Sequence, residues 1–232
     1  MPKREPAEFD VYAEAYSDNV NRALAFTRLK VDYFTRAKAD HFVDLIGALH
    51  PNATRADVID IGCGVGNSHP LLLGRVGKIA GIDVSQECLA TAATHNPNNE
   101  YRHYDGENIP YEDHSFDVAS AVCVFHHIPV ASHTSLARDV RRILRPNGFF
   151  AIYEHNPFNP LTTYVVKNCE FDKNAMLLRS KEAEALLKQA GYHSVETRFI
   201  LAFPAIGSLL RRIDRLFERL PLGAQYCTVG RA

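Results

Sequence analysis

The 232-residue sequence lacks a surplus of either charge: 26 Lys and Arg stand against 27 Asp and Glu. Nothing therefore drives generic attachment to a phosphate backbone, and nucleic acid is not expected as a partner. It also lacks any apolar run near the roughly 18 residues of a membrane span, and its mean hydropathy is −0.19. Stable membrane insertion is accordingly not expected. No apolar signal core follows the polar opening Met1-Pro-Lys-Arg-Glu-Pro6, which reads as cytoplasmic. The five cysteines, Cys63, Cys88, Cys123, Cys169 and Cys227, form no CxxC or zinc-type spacing. They imply reduced thiols rather than a disulfide framework, and no metal is expected. Internal repeats, low-complexity tracts and linkers are missing too, so the reading is one domain with an ample core.

What the sequence does have is alternation. Residues 5–50 read as helical, with Phe34, Phe42, Leu45, Ile46 and Leu49 at helical spacing. From Asp57 strands and helices take turns: strands at 58–61, 78–82, 101–104, 117–124 and 149–153, helices at 68–75, 86–94 and 134–144. Arg145-Pro-Asn-Gly148 is the stop signal of the last helix. Short connections between such units mean βαβ crossovers and a buried parallel sheet. The prolines of Asn156-Pro-Phe-Asn-Pro160 exclude regular structure there. A helix follows from Ser180, read as its N-cap, to Gly191, then late strands at 194–201 and 225–230. The organisation expected is a helical cap over 1–50, a ligand-binding core over 55–155, and acceptor-side loops, helices and two final strands over 156–232.

The most informative stretch is Val58-Ile-Asp-Ile-Gly-Cys-Gly-Val-Gly-Asn67. A strand running into Gly62-x-Gly64-x-Gly66 and then a helix makes a tight turn that offers backbone N–H groups to a ligand. Asp83 ends the next strand about 20 residues later, where a carboxylate takes ribose hydroxyls. The dinucleotide fingerprint needs a third glycine three residues after the second, and that position is Asn67. Asp60 beside the loop repels pyrophosphate but suits an ammonium group. Asp105-Gly-Glu107 follows the third strand, where a carboxylate reads an amine such as adenine N6. An amino-acid end, a ribose and an adenine together describe S-adenosylmethionine.

At this point the sequence resembles the class I S-adenosylmethionine-dependent methyltransferases, notably the type 11 group that includes ubiquinone and menaquinone biosynthesis enzymes. The matching pieces are VIDIGCGVGN (58–67), GIDVS (81–85), DGENIPYEDHSFDVASAVCVFHHI (105–128) and LRPNGFFAIYEH (144–155). The resemblance implies an α/β, Rossmann-like, doubly wound sheet of seven strands, mostly parallel with the last antiparallel. It implies that Asp60, Gly62 and Gly64 surround the methionine moiety, Asp83 binds the ribose and Val84 packs on adenine. Asp105, Gly106 and Glu107 then lie at the adenine edge, and Val122 and Cys123 beneath the methionine portion. His126 and His127 fall near the sulfonium or the acceptor, and Tyr12, Tyr16 and Lys38 of the N-terminal helices are candidates to close the site.

Histidine is the natural base at neutral pH. His126, His127 and His155 all follow strands, at the edge where α/β folds bind ligands, and are the catalytic candidates. His155 stands in a loop stiffened by two prolines, with Tyr153, Glu154, Asn159, Phe158 and Phe171 as further pocket candidates. The basic amphipathic segment 206–220 either packs on the sheet or touches an anionic surface. Transfer of a methyl group to a small molecule, with oxygen the leading acceptor atom and carbon or nitrogen also open, is the expected function. A non-catalytic protein holding S-adenosylmethionine or S-adenosylhomocysteine, or an NAD-dependent oxidoreductase, are the alternatives.

Overall fold

The computed structural model describes residues 30–169, 172, 175–202, 214 and 216–232. Tyr12, Tyr16, Phe171 and most of the 206–220 segment lie outside them. Helix α1 (Val31–Leu49) precedes strand β1 (Val58–Ile61), whose four residues are all buried. Then come α2 (His69–Leu72), β2 (Ile79–Asp83), α3 (Gln86–His95), β3 (Glu100–His103), β4 (Phe116–Val122) and α4 (Val130–Ile143). The second half holds β5 (Leu144–His155), α5 (Pro160–Asn168), α6 (Ser180–Gln189), β6 (His193–Ile200) and β7 (Gln225–Arg231).

The strands form one sheet in the order β3-β2-β1-β4-β5-β7-β6. The first five run parallel, and β7 is inserted antiparallel between β5 and β6, as expected. Side chains alternate across the sheet with the period of two that a strand imposes. Ile59, Ala119, Ala121, Phe150 and Ile152 face the core shared with α4 and α6. Val58, Val118, Phe149, Ala151 and Tyr153 face the opposite core, which Phe42, Leu45 and Ile46 of α1 cover. Burying each such side chain contributes about 1.5–3 kcal/mol, and this holds α1 on the sheet.

Several local expectations need correction. α6 begins after Arg179, not after a Ser180 cap: the Glu182 carboxylate accepts the Arg179 backbone N–H at 2.7 Å, half of a capping box. The Pro-rich stretch does start a helix, because Pro160 occupies the first turn, where its missing N–H costs nothing. Asn159 caps it by accepting from the N–H groups of Leu161 and Thr162. The helix at 68–75 shrinks to four residues. Strand β5 begins at Leu144, which already pairs with Phe116; the ladder resumes at Phe149 opposite Val118, and the residues between bulge out with Asn147 at φ 66°.

Phe150 lies fully buried at the centre of one core. Truncating it to alanine should cost about 3–5 kcal/mol, read as a lower urea midpoint at unchanged m-value.

Candidate active site

The carboxyl ends of β1, β2, β4 and β5 lie side by side, and the segments leaving them surround one cavity of about 1580 Å³. Asp60, Gly62, Gly64, Asp83, Val84, Asp105, Gly106, Glu107, Cys123, His126, His127 and His155 all line it. Lys38 reaches it from α1. Two pocket candidates do not belong to its wall: Phe158 points to solvent, 62% exposed, beneath the Arg179 guanidinium, and Glu154 is buried behind the wall.

At the glycine loop, the Gly62 and Cys63 N–H groups donate to the Ile82 carbonyl, and Gly62, Gly64 and Gly66 all hold left-handed φ of 52–69°. A Cβ on Gly62 would strike Val124 at 2.7 Å, whereas one on Gly64 would meet no atom within 4 Å. Gly64 therefore faces open cavity. Asp83 accepts from the Gly64 N–H at 2.8 Å and the Ser85 N–H at 2.9 Å, fixing loop and carboxylate to each other. Burial raises its carboxyl above the usual range, a shift that these N–H donors only partly offset and that Asp60 adds to. Asp60 accepts from the Ser120 hydroxyl at 2.8 Å and stands 3.3 Å from His69 Nε2. His69 is in turn held by the Tyr101 hydroxyl at 2.7 Å. Sequence reasoning missed Ser120, His69 and Tyr101, because only the sheet brings them under the loop.

Further along the edge, Asp105 spends one oxygen on its own turn, accepting from the Glu107 and Asn108 N–H groups at 2.8 and 2.9 Å. Those donors hold its carboxyl below the usual value. Gly106 at φ 89° again meets nothing, and Val84, 41% exposed, offers an apolar face beside it.

The acceptor end is more densely charged. Cys123 has φ 58°, its thiol 3.9 Å from Lys38 Nζ and 3.6 Å from Gln225 Nε2. Burial pushes that thiol up, but Lys38 and His155 more than offset this and bring it down to about 7. Burial likewise opposes charge on His155, yet Cys123 raises it, and Gln225 Nε2 stands 3.4 Å from its Nδ1. Thiol and imidazole therefore favour an ion pair.

His126 and His127 occupy a 3₁₀ turn, Phe125–His127. Glu154 anchors that turn from below, accepting from the Phe125 N–H at 2.8 Å and meeting His126 Nδ1. Burial opposes a charge on His126, but Glu154 and Asp172 override it and raise it to about 10. His127 goes the other way, down to about 4, through burial and the neighbouring His126 charge. Asp172 is a further residue missed in the sequence, 45 positions beyond His127; its Oδ1 lies 3.4 Å from His126 Nε2 and 3.5 Å from His127 Nε2.

Comparison with known proteins decides the family. Residues 59–152 match the family model described as a methyltransferase domain. The chain carries a class I S-adenosylmethionine-dependent methyltransferase domain. Over 183 residues it is 31% identical to a probable phthiotriol/phenolphthiotriol dimycocerosates methyltransferase of Mycobacterium ulcerans, covering 73% of this chain and 59% of that one. Over 163 residues it is 28% identical to squalene methyltransferase 1 of Botryococcus braunii, covering 64% and 43%. The matches thus span less than two thirds of the length of these curated relatives. The fold is shared with a chain from the complex of the Haloferax volcanii Trm112 methyltransferase activator and a methyltransferase, at TM-score 0.68, 20% identity and 99% coverage of both chains.

S-adenosylmethionine is the cofactor of this methyltransferase domain, and the residues present fit it. Gly64 and Gly106 leave open the space that any side chain would fill, and Asp83 and Asp60 supply acids at the ends of β1 and β2. Three residues after Gly64, where a dinucleotide site has its third glycine, stands Asn67.

Two outcomes follow. Gly64→Ala should cost about 1 kcal/mol of stability through its left-handed backbone but about 1–3 kcal/mol of S-adenosylhomocysteine affinity through the crowded cavity, measured by urea denaturation and calorimetry. Because the Asp83 carboxyl is raised, its acceptor form is lost as pH falls, from a pH above the ordinary carboxylate value near 4. Affinity for S-adenosylhomocysteine should drop by up to tenfold per pH unit below that raised pKa, and Asp83→Asn should flatten the profile while weakening binding throughout.

Proposed function

We propose that this chain methylates a large, predominantly apolar small molecule, with an oxygen as the leading acceptor atom. The observation that carries the reading is the single cavity that joins both halves of the reaction. At about 1580 Å³ it exceeds the roughly 300–1,000 Å³ of a pocket for one drug-sized ligand, so a cofactor and an acceptor fit side by side. Beyond the glycine loop its lining is largely apolar, with Phe34, Phe42, Leu161, Val165 and Leu201, and its polar end carries His127, His155 and Asp172. Two relatives named for squalene and for dimycocerosates agree with an acceptor of that character.

Bound S-adenosylmethionine supplies an electrophilic methyl group on a sulfonium, taken by the acceptor in direct displacement. The chain's own contribution is orientation and the exclusion of water. Asp83 and the Gly64 loop fix the cofactor's ribose half, and Asp60, tethered by Ser120 and His69, faces its amino-acid end. The apolar wall orients the acceptor's body, and the histidine cluster holds its reacting polar atom. In this reading residues 1–50 cap the site, 55–155 hold the cofactor and 156–232 select the acceptor, in a cytoplasmic protein. Among the described residues no helix is long and apolar enough to cross a membrane.

His127→Ala should lower turnover by about 10²–10⁴-fold, the range of a lost proton-handling group, with S-adenosylhomocysteine affinity unchanged within about twofold. Radiolabelled methyl transfer into isoprenoid and hydroxylated lipid extracts, paired with calorimetry, checks this. Loss of cofactor binding in that variant would refute the division into cofactor and acceptor halves. Transfer only to water-soluble acceptors would refute the apolar substrate class.

A further inference from the structure

We infer that His126, His127 and Asp172 form a binding site for a divalent metal ion of the zinc type, open toward the acceptor half of the cavity. Ligand atoms at about 2.0–2.1 Å from a tetrahedral ion stand about 3.4 Å apart. Asp172 Oδ1 lies 3.4 Å from His126 Nε2 and 3.5 Å from His127 Nε2, and the three groups offer ligand atoms all within 4.8 Å of one another. The two distances to Asp172 are long for hydrogen bonds and match the separation of donors around one ion, and the third pair lies within 4.8 Å.

The state of His126 is a second, independent observation. Its side chain is wholly buried, and Nε2 has no hydrogen-bond partner even with a carboxylate nearby. An orphaned buried ring nitrogen is costly, and a ligated ion satisfies it. The opposite ring nitrogen, Nδ1, is held by Glu154, which is itself fully buried and locked by the Phe125 N–H. A buried carboxylate behind a ligating imidazole is the outer-shell arrangement that orients a metal-bound histidine. Two buried or half-buried carboxylates around two imidazoles also give the site the negative charge that a divalent cation neutralises.

Two histidines and one carboxylate leave a fourth position open, and all three residues line the cavity. That position suits an oxygen of the acceptor, which the ion would polarise as a Lewis acid. Assigning the ion this role rests on the methyl-transfer reading; its binding does not.

The test uses the full chain, stripped with a chelator and titrated with Co²⁺ and, separately, Zn²⁺. One equivalent of Co²⁺ should bind and show the visible ligand-field bands of a four- or five-coordinate N/O site, and Zn²⁺ should displace it. His127→Ala and Asp172→Asn should abolish the bands. Glu154→Gln, which keeps both ligands and shape, should weaken binding by about 10–100-fold, and His95→Ala on the exposed end of α3 should leave it unchanged. Absence of the bands in the native chain, or bands that survive both ligand substitutions, overturns the site. S-adenosylhomocysteine calorimetry on the same samples separates the two readings: intact cofactor binding without metal overturns the metal site alone, and metal binding without cofactor binding overturns the cofactor reading alone.

Discussion

The parallel register of β1, β2, β4 and β5 is the constraint from which the site follows. Ile61 pairs with Ile82 and with Ala121, and Val122 with Tyr153, so these strands end on nearly one line. Parallel strands joined by right-handed crossovers expose all their carboxyl ends on one edge. Asp60, Asp83, Cys123 and His155 are thereby gathered within one cavity although they span nearly a hundred residues. The two apolar cores pack on both faces of the sheet, and the polar groups on its edge are positioned by the paired backbone between them.

The edge divides into two electrostatic regimes. At the cofactor end the acids are tethered by backbone N–H groups and by Ser120 and His69. At the acceptor end acids, imidazoles and a thiol neutralise one another: Glu154 with His126, Cys123 with His155 and Lys38. The same low-dielectric surroundings that penalise a lone charge strengthen each such pairing. His126 and His127 are neighbours in sequence and are driven in opposite directions, because one meets Glu154 and the other meets the charge that results.

The glycine-loop end of the cavity was legible in the sequence because its residues are local to strand ends: a glycine loop, an acid closing β2, and Asp105-Gly-Glu107 after β3. The antiparallel last strand came from the family resemblance, not from the residues of the strand itself. Asp172, Gln225, Ser120 and His69 were not, since each reaches the site from an element whose position only tertiary packing defines. Glu154 was read as a pocket residue; the pleat turns it to the opposite face from Tyr153 and His155, where it supports the pocket from behind. Helix limits failed where proline and capping chemistry compete, as at Pro160 and Arg179.

The chain leaves the sheet at His155, re-enters it as β6 at His193, and β7 then places Gln225 directly opposite both His155 and Ile200. The acceptor-side excursion from His155 to His193 is thus a loop whose two ends are both tied to β7. Lengthening such a loop costs only about 0.6 kcal/mol of closure entropy per doubling. Within this architecture, acceptor choice is open to change by insertion and exchange at the excursion, while the cofactor edge stays intact.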